Sequence, residues 1–196
     1  MRMTALEKRF VNSLGHTRAV DARAWELLSR IGYRSGWRYL DVGCGVGTAA
    51  RRIAAASELS VTAVDVDPKQ IETARGGAPL PNLQYRVMNA TQLEFADAQF
   101  DVVATYMATH HIPHWERALD EMLRVLRTGG YLVYRDFVFP SWLAKILRHI
   151  IPLTGFPSTG ALQAIAARAG LVKFYESHES GKVNVIWIKK GQGPQA

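Results

Sequence analysis

Leu40-Asp41-Val42-Gly43-Cys44-Gly45-Val46-Gly47-Thr48 sets three glycines at alternate positions between an apolar, β-rich run (37–42) and a helix-forming run, Thr48–Ala56. Glycine at such a junction lets the backbone bend sharply and approach a ligand closely, although any tight strand-to-helix turn wants glycine. The neighbours give the pattern its meaning. Asp41 stands two residues before Gly43 at the expected strand's carboxyl end. Asp65 closes the next β-rich run, Val61–Asp65, 18 residues beyond Gly47. There a carboxylate can accept from both hydroxyls of a ribose.

Outward from this unit, β-rich and helical segments alternate. Pro68–Arg75 reads as a helix with proline in its first turn. Strands are expected near 84–88 and over Phe100–Tyr106, then a helix over 115–126 and a strand over 131–137 after a stop at Gly129-Gly130. Upstream, Val20, Ala24, Leu27, Leu28 and Ile31 form one apolar stripe within an expected helix, 19–31. Downstream, 142–151 and 160–169 read as helices, and 171–177 and 183–189 as two strands joined through a polar connection containing Gly181. Strand–helix alternation implies a parallel sheet covered on both faces, and the last pair implies an antiparallel ending. The expectation is a single domain over 1–196: a helical cap (1–36), a ligand-binding core (37–137), and a lid helix with terminal strands (138–190). Only Gly191–Ala196 reads as a frayed end.

Composition sets limits. The 196 residues, 48% of them apolar, can bury a substantial core, and the lone cysteine, Cys44, forms no internal disulfide. The first ten residues carry charges where a signal peptide needs an apolar stretch, and no run reaches the roughly 18–20 apolar residues of a membrane span. A cytoplasmic protein is expected. The formal charge of +7 is concentrated at the flanks: residues 1–38 hold eight Lys/Arg against three acids, 141–196 seven against two, and the middle nine against twelve. Solvated surfaces, an anionic substrate or an anionic membrane all fit that distribution.

A nicotinamide dinucleotide site would also use an acid after the second strand. Its fingerprint, however, is G-x-G-x-x-G, whereas here the spacing is G-x-G-x-G with Thr48 at the third position. Asp41 would also put negative charge beside a pyrophosphate. A cationic, amino-acid-like ligand suits it better.

At this point the chain resembles a known family. LDVGCGVGT (40–48) looks like the first motif of the class I S-adenosylmethionine-dependent methyltransferases, and AVDVDPKQIETAR (63–75) like their second. Val87–Phe95 resembles the segment written GDAxxLPF, Phe100-Asp101-Val102-Val103 the start of the fourth-strand motif, and 110–137 the helix and fifth strand of the small-molecule members. The resemblance implies a Rossmann-like, seven-stranded, mostly parallel sheet with an antiparallel last strand and helices on both faces. It implies S-adenosylmethionine as methyl donor and S-adenosylhomocysteine as product. Asp41 would face the methionine amino end, Gly43, Cys44 and Gly45 would line the turn, Asp65 would hold the ribose, and Val66 would pack on the adenine. Asn89, where the family more often has aspartate, would accept from the adenine amino group, Ala90 would donate a backbone N–H, and Tyr106 would lie near the methionine portion.

Methyl transfer from a sulfonium mainly needs alignment and exclusion of water, with a base where the acceptor carries a proton. His111, and after it His110, are the candidate bases, because both follow the fourth strand on the ligand-binding edge. No metal is expected: His110, His111 and His114 have no carboxylate beside them in the loop. Asp136 reads as an edge residue that could face substrate. A nucleic-acid acceptor is disfavoured, since Thr105-Tyr106-Met107-Ala108 stands where enzymes that methylate exocyclic amines of bases carry Asn/Asp-Pro-Pro-aromatic, and no recognition helix is evident. A small-molecule acceptor, apolar and quinone-like or lipid-like, is expected. Trp142–Ile151, amphipathic and basic, reads either as a lid or as a surface meeting a membrane. Two other functions stay open on the sequence: cofactor binding without transfer, as a sensor or accessory subunit, and a nicotinamide-dependent oxidoreductase.

Overall fold

The computed structural model describes residues 14–151 and 155–190. Residues 1–13 of the expected cap and the expected frayed end at Gly191–Ala196 lie outside the described residues. In chain order the elements are α1 (Leu14–Ser29), β1 (Arg38–Val42), α2 (Thr48–Ala56), β2 (Ser60–Asp65), α3 (Pro68–Arg75), β3 (Leu83–Val87) and β4 (Phe100–Tyr106). A 3₁₀ turn (Thr109–His111) follows, then α4 (Trp115–Val125), β5 (Leu126–Phe137), α5 (Ser141–Ile150), α6 (Thr159–Arg168), β6 (Leu171–Glu179) and β7 (Lys182–Lys189).

The seven strands form one sheet in the order β3-β2-β1-β4-β5-β7-β6. β1 to β5 run parallel, and β7 inserts antiparallel between β5 and β6. This is the Rossmann-like arrangement expected from the sequence. Because β1 has no solvent-facing side, four of its five residues are buried, which is why it reads as an apolar run rather than an alternating one. Two apolar layers sandwich the sheet. Leu27, Leu28, Ile53 and Ile71 from α1–α3 cover Tyr39, Val61, Ala63 and Val102 on one face. Trp115, Leu119 and Met122 of α4, with Leu162 and Ile165 of α6, cover Leu40, Val103 and Leu132 on the other.

Two local features show the chemistry of the turns. Asp67 caps α3 by accepting from the Lys69 N–H at 3.0 Å, with Pro68 at the first helical position. The β6–β7 hairpin turns on Ser180 (φ 49°) and Gly181 (φ 75°), the positive-φ pair of a type I′ two-residue hairpin.

Gly129-Gly130 does not stop the preceding helix. α4 ends at Val125, β5 starts at Leu126, and the glycines lie inside that strand, where the register jumps from Phe100↔Leu126 to Val102↔Tyr131. The extra residues form a bulge. A side chain on Gly130 would come within 2.7 Å of the Asp101 carbonyl, so glycine is needed for close approach to β4 rather than as a helix terminator. The N-terminal helix also ends earlier than its apolar stripe, at Ser29, and Ile31 reaches the core from the turn that follows.

Candidate active site

Strand order reverses between β1 and β4, and at such a switch point the loops leaving the strands' carboxyl ends part to form a crevice. The glycine turn lies there. Gly43 and Cys44 donate their N–H groups to the Val64 carbonyl (2.8 and 3.0 Å), so the turn is anchored on β2. Gly45 donates to Oδ2 of Asp65 at 2.9 Å, and Oδ1 of the same carboxylate accepts from the Asp67 N–H at 2.9 Å. Asp65 therefore shapes the turn as well as standing beside it.

The three glycines differ in what they face. A Cβ on Gly43 would lie 2.4 Å from the Ala108 side chain, and one on Gly47 would lie 2.5 Å from the Tyr85 ring. Both positions are packing constraints. A Cβ on Gly45 would meet nothing within 4 Å, so the open side of the turn is at Gly45.

Asp41 is 2% exposed, and its Oδ2 has no hydrogen-bond partner. Burial, and then the neighbouring Asp65 charge, raise its pKa from 3.8 to about 7. A buried acceptor without a donor is costly, and a cationic or N–H-bearing ligand would relieve that cost. Tyr106 shares its hydroxyl with Tyr39 at 2.9 Å, and burial holds both phenols protonated beneath Asp41. Burial and the Asp41 and Asp65 charges push the Cys44 thiol upward, which keeps it from acting as a nucleophile.

The remaining predicted contacts lie along the same edge. Val66 is exposed (46%) immediately after Asp65, and Ala90 is buried. Asn89 is exposed, and its Oδ1 accepts from both the N–H and the hydroxyl of Thr91 at 3.0 Å, folding the loop after β3 into an Asx turn.

Across the crevice, Met107 leaves β4 with φ 56°, a conformation that a non-glycine residue adopts only when its surroundings impose it. Its N–H is fixed on the Arg135 carbonyl at 2.7 Å. The chain then enters the turn bearing His110 and His111, whose rings lie in contact, tilted by 43° with centroids 4.0 Å apart. Because Ala108 presses on Gly43, the histidine turn and the glycine turn are packed directly together.

The two histidines are not equivalent. Asp136, fully buried at the end of β5, accepts from His110 Nδ1 (2.5 Å) and from the Phe137 N–H (2.7 Å) through Oδ1. Its Oδ2 accepts from the Thr109 hydroxyl (2.5 Å) and the His110 N–H (3.1 Å). The Tyr134 hydroxyl, kept protonated by burial and the Asp136 charge, donates to Thr109 at 2.9 Å. The carboxylate is fully satisfied, and it fixes His110 as the Nδ1–H tautomer with Nε2 as the basic nitrogen. On the sequence His111 is the first candidate base and Asp136 an edge residue; in the structure the Asp136 carboxylate holds His110. Along the chain Asp136 stands between Arg135 and Phe137, and nothing local shows that it meets His110. Among the described residues, no group of three or more His, Cys, Asp or Glu is arranged to hold a metal ion.

The chain is similar to known methyltransferases. A family model described as a methyltransferase domain matches residues 40–134. The 27-O-demethylrifamycin SV methyltransferase of Amycolatopsis mediterranei is 38% identical over 109 residues, covering 54% of this chain and 40% of that protein. The 2-methyl-6-phytyl-1,4-hydroquinone methyltransferase of Synechocystis sp. is 30% identical over 141 residues, covering 67% and 44%. The chain thus spans less than half the length of either relative. A solved geranyl diphosphate methyltransferase, in complex with GPP and sinefungin, superposes with a TM-score of 0.71 at 17% identity, covering 86% of this chain and 77% of that one. That is a likeness of fold.

Proposed function

We propose that this chain, which belongs to the class I S-adenosylmethionine-dependent methyltransferase family, transfers a methyl group from S-adenosylmethionine to a small apolar acceptor of quinone-like or lipid-like character. The observation that carries the reading is the unpartnered, buried Oδ2 of Asp41 just before the glycine turn, which is open at Gly45 and packed at Gly43 against Ala108 of the turn bearing the carboxylate-held His110. The apolar acceptor is supported by two relatives, one named for a phytyl hydroquinone and one for a demethylrifamycin.

In this reading Asp41 receives the methionine amino end of the cofactor. Gly43, Cys44 and Gly45 line its path, and Asp65 accepts from the ribose hydroxyls. Val66 lies against the adenine, Ala90 donates a backbone N–H to the ring, and Asn89 engages the adenine amino group. Tyr106, paired with Tyr39, supports the floor near the methionine portion. When bound, the cofactor supplies an activated methyl on a sulfonium. His110 Nε2 takes the proton of the attacking acceptor group, and Asp136 is the positioning residue that holds Nδ1 and stabilises the charge formed. His111 packs on His110 and limits its rotation. The reading takes 1–196 as one methyltransferase unit, with 1–36 as cap, 37–137 holding the cofactor and 138–190 closing the acceptor side. A peripheral membrane contact through 142–151 belongs with an acceptor of this class.

Separate calorimetric titrations with S-adenosylmethionine and NAD, followed by transfer of labelled methyl to a panel of hydroquinones and prenyl lipids, test this. Binding of the first cofactor, loss of it in Asp65→Ala and label on an acceptor are expected. Tight NAD binding without S-adenosylmethionine binding would sink the family roles. Cofactor binding with no label on any acceptor would leave a sensor or accessory subunit.

A further inference from the structure

Most of the apolar surface is sheathed by helices, with one concentrated exception. Of the eight large apolar side chains exposed among the described residues, four are Trp142 (66%), Ile146 (49%), Ile150 (69%) and Ile151 (47%). Trp142, Ile146 and Ile150 recur at i, i+4 and i+8, so they form one continuous stripe along α5. The helix turns its other side to the protein: Ala144 is buried and Leu143 and Leu147 are half-buried. Along the stripe's outer margin stand Lys145 and His149, both exposed, with His149 Nδ1 donating to the Lys145 carbonyl at 2.8 Å. A helix seated between protein and water should carry polar groups where this one carries tryptophan and isoleucine.

Where the helix sits also matters. Its leading stem leaves β5 at Phe137, the residue after Asp136, which holds His110. The chain returning from α5 lies on the histidine turn. Gly155 donates to the His110 carbonyl at 3.0 Å, and a Cβ there would come within 2.4 Å of the Thr109 and Ile112 carbonyls. The two stems are laced together by Phe139 donating to Pro157 (2.8 Å) and Thr159 donating to Phe139 (3.1 Å), with the Phe139 and Phe156 rings edge to face. Arg148 pairs with Glu116 at the start of α4. Both stems of α5 therefore end on the proposed catalytic pair.

We propose that α5 is a membrane-docking helix. Its Trp142–Ile146–Ile150 stripe enters the interface of an anionic bilayer while Lys145 and His149 face the headgroups, placing the His110 crevice at the bilayer surface. A short helix with tryptophan and isoleucine on one side and basic residues beside them is suited to lying in the headgroup–acyl boundary, and the exposed Lys145 beside the stripe complements anionic lipid. The proposal deepens the apolar-acceptor reading and rests on it for the acceptor's route: a lipid-like molecule would pass from the bilayer to His110 without crossing water.

The test uses the full chain without methyl donor, sedimented with vesicles of phosphatidylcholine alone or mixed with phosphatidylglycerol. Partition should be stronger on the mixed vesicles and weaken with salt. Replacing the stripe (Trp142→Ser, Ile146→Ser, Ile150→Ser) should cut it on the order of tenfold without changing thermal unfolding, since these side chains are exposed. Trp142→Phe should keep partition but abolish the blue shift of tryptophan emission on docking. Partition unaffected by the triple substitution, or absent on both vesicles, overturns the proposal. So does a dimer that the triple substitution dissociates without any vesicle binding, which would assign the stripe to a second copy. Vesicle binding without methyl transfer would count against the methyltransferase reading alone, whereas transfer to a soluble acceptor without vesicle binding would count against docking alone.

Discussion

Asp41 links cofactor binding to protons. An unfolded aspartate titrates near pH 4, whereas in the fold burial, and then Asp65, raise Asp41 from 3.8 to about 7. Between those values the folded chain holds one more proton than the unfolded one. The stability Asp41 contributes is therefore fully present below about pH 4 and is lost as pH rises through 7. At roughly 1.4 kcal/mol per pKa unit, the whole change is about 4 kcal/mol as an upper bound. A ligand with a fixed sulfonium charge and a protonated amine needs the ionised form. Above pH 7 that form is present; below it a proton must leave, and affinity falls about tenfold per pH unit. At pH 5.5 S-adenosylmethionine should bind about thirtyfold more weakly than at pH 8. Calorimetry in two buffers of different ionisation heat would count the proton: close to one released at pH 6, close to none at pH 8. Asp41→Asn should bind weakly at every pH, release no proton, and leave the ligand-free protein more stable than the parent at pH 8. A parent affinity that stays level from pH 8 to 5.5, with no proton released, would refute the placement of the cofactor's cationic end at Asp41.

The histidine pair and the glycine turn give further tests. His110→Ala should lower kcat by about 10²- to 10⁴-fold with cofactor affinity unchanged. Asp136→Asn should give a similar loss together with a shifted pH–rate profile, and His111→Ala should cost much less; the reverse order in single-turnover kinetics would restore His111 as the base. Gly47→Ala, which drives a methyl into Tyr85 at a φ of 75°, should cost about 2–4 kcal/mol in urea unfolding. Gly45→Ala should cost only about 1 kcal/mol, because its Cβ meets open space, yet should sharply weaken the cofactor. Equal unfolding losses with unaltered binding at Gly45 would show that its open side is not the cofactor's path.

The sequence was most legible where one physical cause dominates. A strand buried on both faces has to be apolar, and a strand ending at a binding crevice has to turn on glycine, so β1, its turn and the acids at 41 and 65 could be read together. Legibility failed where two distant segments share one requirement. Gly129-Gly130 looked like punctuation because the close approach of Asp101 that demands it comes from another strand. Asp136 looked peripheral because its four donors come from Thr109, His110 and Phe137, two of which lie 26 and 27 residues away. The same reasoning separates His110 from His111, which no pattern distinguishes in a dipeptide of identical residues: the carboxylate that chooses between them belongs to the neighbouring strand. It also bears on α5. An amphipathic pattern predicts that a helix has an apolar side, but only the placement of Leu143, Ala144 and Leu147 against the protein leaves Trp142, Ile146 and Ile150 facing outward. A lid closed over the crevice should bury that stripe. One that carries an apolar acceptor in from a bilayer should display it, and the stripe is displayed.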